Sequence, residues 1–188
     1  KTMVIEKEHF GGVCLNEGCV PSKTFLYSAK VLDYANHAKD FGVSVKVESG
    51  VDQAFVVERK NGVVKTLVSG VKGQLKKAGV TMVEAEGKII GKGEGGIIVE
   101  AKGVQYLAEK LIIATGSMPV VPPITGLREN LAAGYVMTNK EILDLKEIPG
   151  TLAVIGGGVI GLEMASYFSS VGSKVVVIEM MNKIAGPT

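Results

Sequence analysis

The 188 residues are 46% hydrophobic and 21% charged, with 25 glycines. That is the composition of a soluble globular α/β chain and excludes a disordered one. With 21 basic and 19 acidic residues the net charge is +2, too weak a field to favour nucleic acid as a partner. The apolar runs at 111–114 and 152–155 fall far short of the ~20 residues a bilayer crossing needs, so no membrane partner is expected.

The chain opens KTMVIEK, a short buried strand over residues 2–5 closed by Glu6, without the apolar core of a signal peptide. A strand this near the first residue predicts that the chain begins inside a domain. A loop with His9, Gly11 and Gly12 follows. The spacing then predicts a helix over 20–38, with Pro21 in its first turn and Leu26, Ala29, Val31, Leu32 and Ala35 as its apolar face. Cys19 falls near the N-terminus of that helix.

Residues 41–47 alternate like a strand, and 54–77 read as a long helix weakened by Gly62 and Gly70. Short runs at 82–85, 88–90, 97–101, 104–107 and 110–114 suggest a small antiparallel meander returning to a buried strand. Pro119, Pro122 and Pro123 mark residues 117–126 as an interdomain linker. Thr138 and Glu141 have capping-box spacing at the start of a short helix. Strand 152–155, helix 159–171 and strand 174–178 complete one βαβ unit.

Within that unit Gly156, Gly158 and Gly161 stand in G-x-G-x-x-G spacing, directly after the first strand and at the opening of the helix. The first permits a tight turn, the second a close approach to a pyrophosphate, and the third close packing of helix on strand. A diphosphate would lie against the helix N-terminus, where unpaired amides favour negative charge. Glu179 follows Gly161 by 18 residues and can accept hydrogen bonds from an adenosine ribose. It favours NAD over NADP, because a carboxylate about 4 Å from an added phosphate charge is repelled by roughly 4 kcal/mol at intermediate dielectric. Glu6 also ends a strand, with no glycine fingerprint before it.

Cys14 and Cys19 form C-x₄-C between a Gly-Gly turn and a helix start. Three readings compete: a zinc half-site, inert core thiols and a cycling disulfide. Zinc needs further ligands, and only His9 and His37 are available without a second cluster; no metal is expected. A cycling pair needs an accessible thiolate of lowered pKa, which a helix N-terminus and Lys23 would supply. It also needs an electron acceptor, and a flavin between thiol and nicotinamide would provide one.

GGVCLNEGCVPSK, residues 11–23, resembles the redox-active segment of the pyridine nucleotide-disulfide oxidoreductases, above all their dihydrolipoamide dehydrogenase branch. LIIATGSMP and GGGVIGLE agree with it in kind and order. The resemblance implies an α/β chain with a partial FAD/NAD(P)-binding, Rossmann-like three-layer fold and a small meander. It implies a partial FAD-binding domain over 1–118 carrying the disulfide, and the first βαβ unit of an NAD-binding domain over 119–188. Cys19 would lie against the flavin and Cys14 would be the interchange thiol. Lys23 would sit near the flavin ring and pair with Glu163. Glu6, Gly11, Gly12, Thr115 and Gly116 would belong to the FAD side.

The activity so implied is oxidation of dihydrolipoamide, carried on a lipoyl domain of a 2-oxo acid dehydrogenase or glycine cleavage complex, with reduction of NAD⁺. The full-length protein would be a cytoplasmic homodimer. A mercuric or glutathione-type reductase is the alternative within the class, and a non-catalytic nucleotide-binding redox module the alternative outside it. The family's N-terminal FAD glycine loop and its C-terminal His-Glu base are absent from these residues, and neither His9 nor His37 takes the base's place. The fragment alone is expected to be inactive.

Overall fold

The computed structural model describes residues 1–48 and 50–186; Pro187 and Thr188, the last residues of the expected second domain, lie outside them. The chain divides into two compact units, one of residues 1–16 and 65–118 and the other of 17–64 and 119–188. In chain order the first elements are β1 (Met3–Glu6), α1 (Gly12–Glu17), α2 (Cys19–Asn36) and α3 (Gln53–Lys77). The last of these gives its first part to the second unit and its remainder to the first.

In the first unit β1 pairs in parallel with β2 (Thr81–Glu84), from Met3 opposite Thr81 to Glu6 opposite Glu84. Lys72 on α3 reaches Glu84 at 2.7 Å and stands 5.0 Å over the ring of buried Phe10, tying the helix to the C-terminal end of that pair and to the loop after β1. The antiparallel meander consists of β3 (Lys88–Gly93), β4 (Gly96–Ala101) and β5 (Val104–Ala108). Lys102 and Gly103, at φ 52° and 74°, form the two-residue link between Ala101 and Val104. Both central residues are left-handed, as the turn that matches strand twist requires. Gly96 is obligatory for another reason: a Cβ there would lie 2.3 Å from the Ala108 carbonyl oxygen.

Three expectations fail here and one element is new. Residues 82–85 belong to the parallel pair and not to the meander. Residues 110–114 and 43–48 form no strand among the described residues, and Ile112, Ile113, Val43 and Val45 are exposed. Alternation or apolarity supplies strand propensity, but a ladder also needs a partner edge. Phe41 instead closes a 3₁₀ turn (Ala38–Phe41) ended by left-handed Gly42. Helix α1 is not among the expected elements: it begins at Gly12, the end of the expected loop, and its start is held by the Asn16 side chain, whose Nδ2 donates to the Phe10 carbonyl at 3.1 Å and to the Gly12 carbonyl at 2.9 Å.

The second unit adds α4 (Leu127–Ala132), α5 (Asn139–Ile142), β6 (Thr151–Ile155), α6 (Val159–Ser170) and β7 (Lys174–Ile178). Strands β6 and β7 pair in parallel, Thr151 opposite Lys174 through Ile155 opposite Ile178, with α6 as the crossover. The capping box at α5 is complete: the Thr138 hydroxyl accepts from the Lys140 amide at 3.2 Å, and the Glu141 carboxylate accepts from the Thr138 amide at 2.6 Å. That bonding holds the Glu141 carboxyl below its ordinary value, the Thr138 hydroxyl foremost.

The core of this unit is aromatic. Phe25 on α2 stacks 4.7 Å from Tyr167 on α6, and Tyr167 meets Phe168 edge-on at 5.1 Å; all three are fully buried. Val56 and Val57 of α3 and Ile142 and Leu143 close the cluster. The Tyr167 hydroxyl donates to Gln53 Oε1 at 2.5 Å, and Gln53 Nε2 donates to the Leu145 carbonyl at 2.9 Å. The buried phenol is thus satisfied, and burial pushes its pKa up to about 12.

The buried face of α2 is Pro21, Ser22, Thr24, Phe25 and Ala29, while Val31, expected inside, is 52% exposed. Ser22 and Thr24 can lie inward because their hydroxyls donate to the carbonyls one turn back, Gly18 at 2.9 Å and Val20 at 2.8 Å. Apolar periodicity does not register such residues. Replacing Phe168 with Ala should cost about 3–5 kcal/mol by cavity formation. Chemical denaturation checks this, and a loss under 1 kcal/mol would show that the aromatic cluster does not organise the unit.

Candidate redox and dinucleotide sites

Cys14 lies in the middle of α1 and is exposed. Left-handed Gly11 and Gly12, at φ 104° and 71°, turn the chain into that helix. Gly116, also left-handed at φ 74°, approaches the same helix, since a Cβ there would meet Val13 Cγ2 at 3.3 Å. Gly116 therefore comes beside the residue that precedes Cys14, with exposed Thr115 next to it. At the end of β1, Glu6 Oε1 accepts from the Glu8 amide at 2.8 Å.

In the second unit Cys19 is the exposed first residue of α2. The turn before it is pinned on both sides. Asn139 Nδ2 donates to the Glu17 carbonyl at 2.9 Å, and the Gly18 carbonyl accepts from the Ser22 amide at 3.1 Å and its hydroxyl at 2.9 Å. Lys140 Nζ lies 2.8 Å from Glu17 Oε2. One turn beyond Cys19 and on the same helix face, the Lys23 ammonium is hydrogen-bonded to Glu163 Oε1 of α6. Glu163 is the more sheltered partner, its side chain 21% exposed against 61% for Lys23.

The glycine loop runs from β6 into α6. Gly156 is left-handed at φ 102° and its amide donates to the Ile178 carbonyl at 2.8 Å. A Cβ on Gly158 would meet nothing within 4 Å, whereas one on Gly161 would lie 2.4 Å from the Gly156 carbonyl oxygen. The loop thus leaves open space at the first amides of α6, which have no acceptor within the helix, and the helix lies tight on the strand behind it. A loop of this shape has room for a phosphate group at the helix N-terminus.

Glu179 closes the loop from the other side. Its Oε2 accepts from the Gly157 amide at 2.6 Å and its Oε1 from the Met181 amide at 2.7 Å. Those bonds, Met181 first, hold its carboxyl below the ordinary carboxylate range. Glu6 and Glu179 therefore make the same bond from a strand-end carboxylate to the amide two residues on.

Asn16, Asn139 and Lys140 are not singled out by the sequence reading. Only their neighbours offered a signal: Asn16 falls inside C-x₄-C, and Asn139 and Lys140 directly follow the cap residue. His37 sits at the far end of α2, about 27 Å from Cys19 at 1.5 Å per residue, engaged with Asp33 at 3.1 Å. Among the described residues no group of three or more His, Cys, Asp or Glu could hold a metal ion, and no helix is long and apolar enough to cross a membrane. Gly161→Ala should weaken dinucleotide binding on the order of tenfold or more in the full-length protein by forcing α6 off β6. Calorimetric titration checks it, and unchanged affinity would contradict the close-packing role.

The chain matches the pyridine nucleotide-disulphide oxidoreductase family over residues 1–188. It is 47% identical over 184 residues to a dihydrolipoyl dehydrogenase of Acholeplasma laidlawii, covering 98% of this chain and 54% of that protein. A dihydrolipoyl dehydrogenase of Mycoplasma genitalium is 40% identical over 184 residues, covering 98% and 39%. The chain thus spans about half or less of these relatives.

Among solved structures, the Cu(II) complex of the HOCl-induced flavoprotein disulfide reductase RclA from Escherichia coli aligns with TM-score 0.78 at 29% identity, over 98% of this chain and 37% of that one. LpdA from Mycobacterium tuberculosis aligns with TM-score 0.83 at 22% identity, over 97% and 39%, a likeness of fold alone. The mixed α/β architecture is the FAD/NAD-binding Rossmann-like fold of disulfide oxidoreductases. With the match running from the first residue to the last, the chain belongs to the pyridine nucleotide-disulphide oxidoreductase family.

Proposed function

We propose that this chain is the redox-active part of a cytoplasmic, homodimeric dihydrolipoamide dehydrogenase that oxidises the dihydrolipoamide of a lipoyl domain and reduces NAD⁺. The observation that carries the reading is the Lys23–Glu163 pair. It joins the helix that begins with Cys19, one turn in, to the helix that follows the glycine loop, also one turn in. Thiol chemistry and dinucleotide chemistry are thereby brought to the same ends of two packed helices.

In this reading residues 1–118 serve FAD and residues 119–188 serve NAD. Glu6, Gly11, Gly12, Lys23, Thr115 and Gly116 contribute to holding FAD; Gly156, Gly158, Gly161 and Glu179 hold NAD. The residues fit such groups: a Cβ would meet nothing within 4 Å at Gly12 or Gly158, and the shared strand-end bond of Glu6 and Glu179 suits each for a ribose-facing position. A bound flavin would accept two electrons from a thiolate and pass them to nicotinamide as hydride.

The protein's own steps are thiol exchange. A substrate thiolate attacks Cys14 Sγ of the Cys14–Cys19 disulfide, forming a mixed disulfide and releasing the Cys19 thiolate. The second substrate thiol, losing its proton to a base outside this chain, attacks the mixed disulfide, and cyclic lipoamide leaves as Cys14 takes up a proton. One disulfide breaks, one forms, and the two electrons now reside on the protein pair. The α2 N-terminus favours the Cys19 thiolate, while the Lys23 ammonium is balanced by Glu163.

The likeness to a disulfide reductase at 29% identity favours, as second reading, the same exchange on another disulfide, as in mercuric or glutathione-type enzymes. Full-length protein carrying Cys14→Ser should lose lipoamide turnover by about a thousandfold or more while retaining FAD, read from flavin absorbance and a steady-state assay. Retained turnover would reject Cys14 as interchange thiol. A wild-type protein that turns over another disulfide and not lipoamide would support the second reading, and one inert toward every disulfide would support a non-catalytic module.

A further inference from the structure

Glu17 presents a problem that Cys19 alone does not explain. It places a carboxylate two residues before a thiol whose work requires a stable negative charge, and like charges raise a thiol's pKa. The carboxylate does not point freely into water. Its side chain retains 22% of its exposure and is held 2.8 Å from Lys140 Nζ.

Lys140 is brought to Glu17 by the start of α5. Thr138 caps α5 through its full capping box, which fixes the next two residues. Asn139 takes the Glu17 carbonyl at 2.9 Å, and Lys140 takes the Glu17 carboxylate. The peptide leading into Cys19 is therefore gripped by backbone and charge together, and Ser22 grips the following carbonyl. All these residues belong to one compact unit.

We infer that Lys140 is a positioning residue for the redox pair: by neutralising Glu17 at the entrance to α2, it sets how readily the Cys14–Cys19 disulfide is reduced. This rests on the disulfide reading above. The charged groups named around this helix start are Glu17, Lys140, Lys23 and Glu163, and Lys23 is matched by Glu163 as Glu17 is by Lys140. The turn thus carries two compensated pairs, and the helix N-terminus is left to favour the thiolate. Removal of Lys140 leaves one uncompensated negative charge, which penalises the reduced, thiolate-bearing form and spares the neutral disulfide.

The test uses full-length, flavin-loaded protein equilibrated in dithiothreitol buffers of fixed reduced-to-oxidised ratio, with the Cys14–Cys19 disulfide fraction counted by alkylation and mass spectrometry. The reaction measured is protein disulfide plus dithiothreitol going to protein dithiol plus cyclic oxidised dithiothreitol. Two electrons and two protons move to the protein, and any thiolate formed returns its proton to solvent.

Lys140→Gln should shift this equilibrium roughly three- to tenfold toward the disulfide, the size expected for one partly screened charge. Lys140→Arg, and the double variant Glu17→Gln with Lys140→Gln, should lie within about twofold of wild type, because each restores charge balance. A merely structural role would leave the double variant as displaced as the single. That result, or a Lys140→Gln variant indistinguishable from wild type, overturns the inference while the disulfide reading stands. Wild-type protein that forms no Cys14–Cys19 disulfide in any buffer overturns both.

Discussion

The arrangement depends first on one apolar contact, the burial of Phe25 of α2 against Tyr167 and Phe168 of α6. In the proposed function the two helices carry their chemistry near their N-terminal ends, Cys19 and Lys23 on one and Gly158 to Glu163 on the other. A helix is stiff over such lengths, so packing at mid-helix fixes where both N-termini lie. Removing the full burial of three aromatic side chains would forfeit several kcal/mol, far more than any exposed ion pair at the helix ends could restore. The Lys23–Glu163 pair is therefore a consequence of the packing and not its cause.

Polar bonds then do what apolar contact cannot, which is to set the conformation of short turns. Around Cys19 the carbonyls of Glu17 and Gly18 are each claimed by a named side chain, Asn139 and Ser22. Around the glycine loop Glu179 takes the Gly157 amide, and the Ala185 amide donates to the Gly157 carbonyl at 2.7 Å. In both places a short backbone segment is held by donors and acceptors from elsewhere in the same unit. Tyr167 and Gln53 extend this into the core, where the buried phenol would otherwise lack a partner.

Much of this was legible in the residues. The βαβ unit announced itself because alternation, glycine spacing and a strand-end acid all agree over 151–179, and the Thr138–Glu141 box because a cap is a local event. C-x₄-C drew attention to two cysteines that both prove exposed, which disfavours the reading of inert core thiols. What escaped was non-local. Residues 43–48 and 110–114 have strand-like composition, yet a strand is defined by its neighbour, and none is there among the described residues. Helix α1 is held by the Asn16 side chain, a bond without periodicity. Of the face expected for α2, Ala29 is buried and Leu26 and Leu32 pack on the core while Val31 is exposed; Ser22 and Thr24 were missed because they satisfy their hydroxyls within the helix. Asn139 and Lys140 lie more than 100 residues from the turn they grip, and no local pattern links them to it.

The central claim is that the thiol at the start of α2 exchanges electrons with a flavin. It is tested most directly by recording the absorption spectrum of the flavin-loaded full-length protein during anaerobic titration with dihydrolipoamide. A long-wavelength thiolate-to-flavin band should grow in and reach its maximum near one equivalent of substrate, and should be missing when Cys19 is replaced by Ser. Bleaching of the flavin with no such band at any stage, or a band that persists without Cys19, would contradict the account.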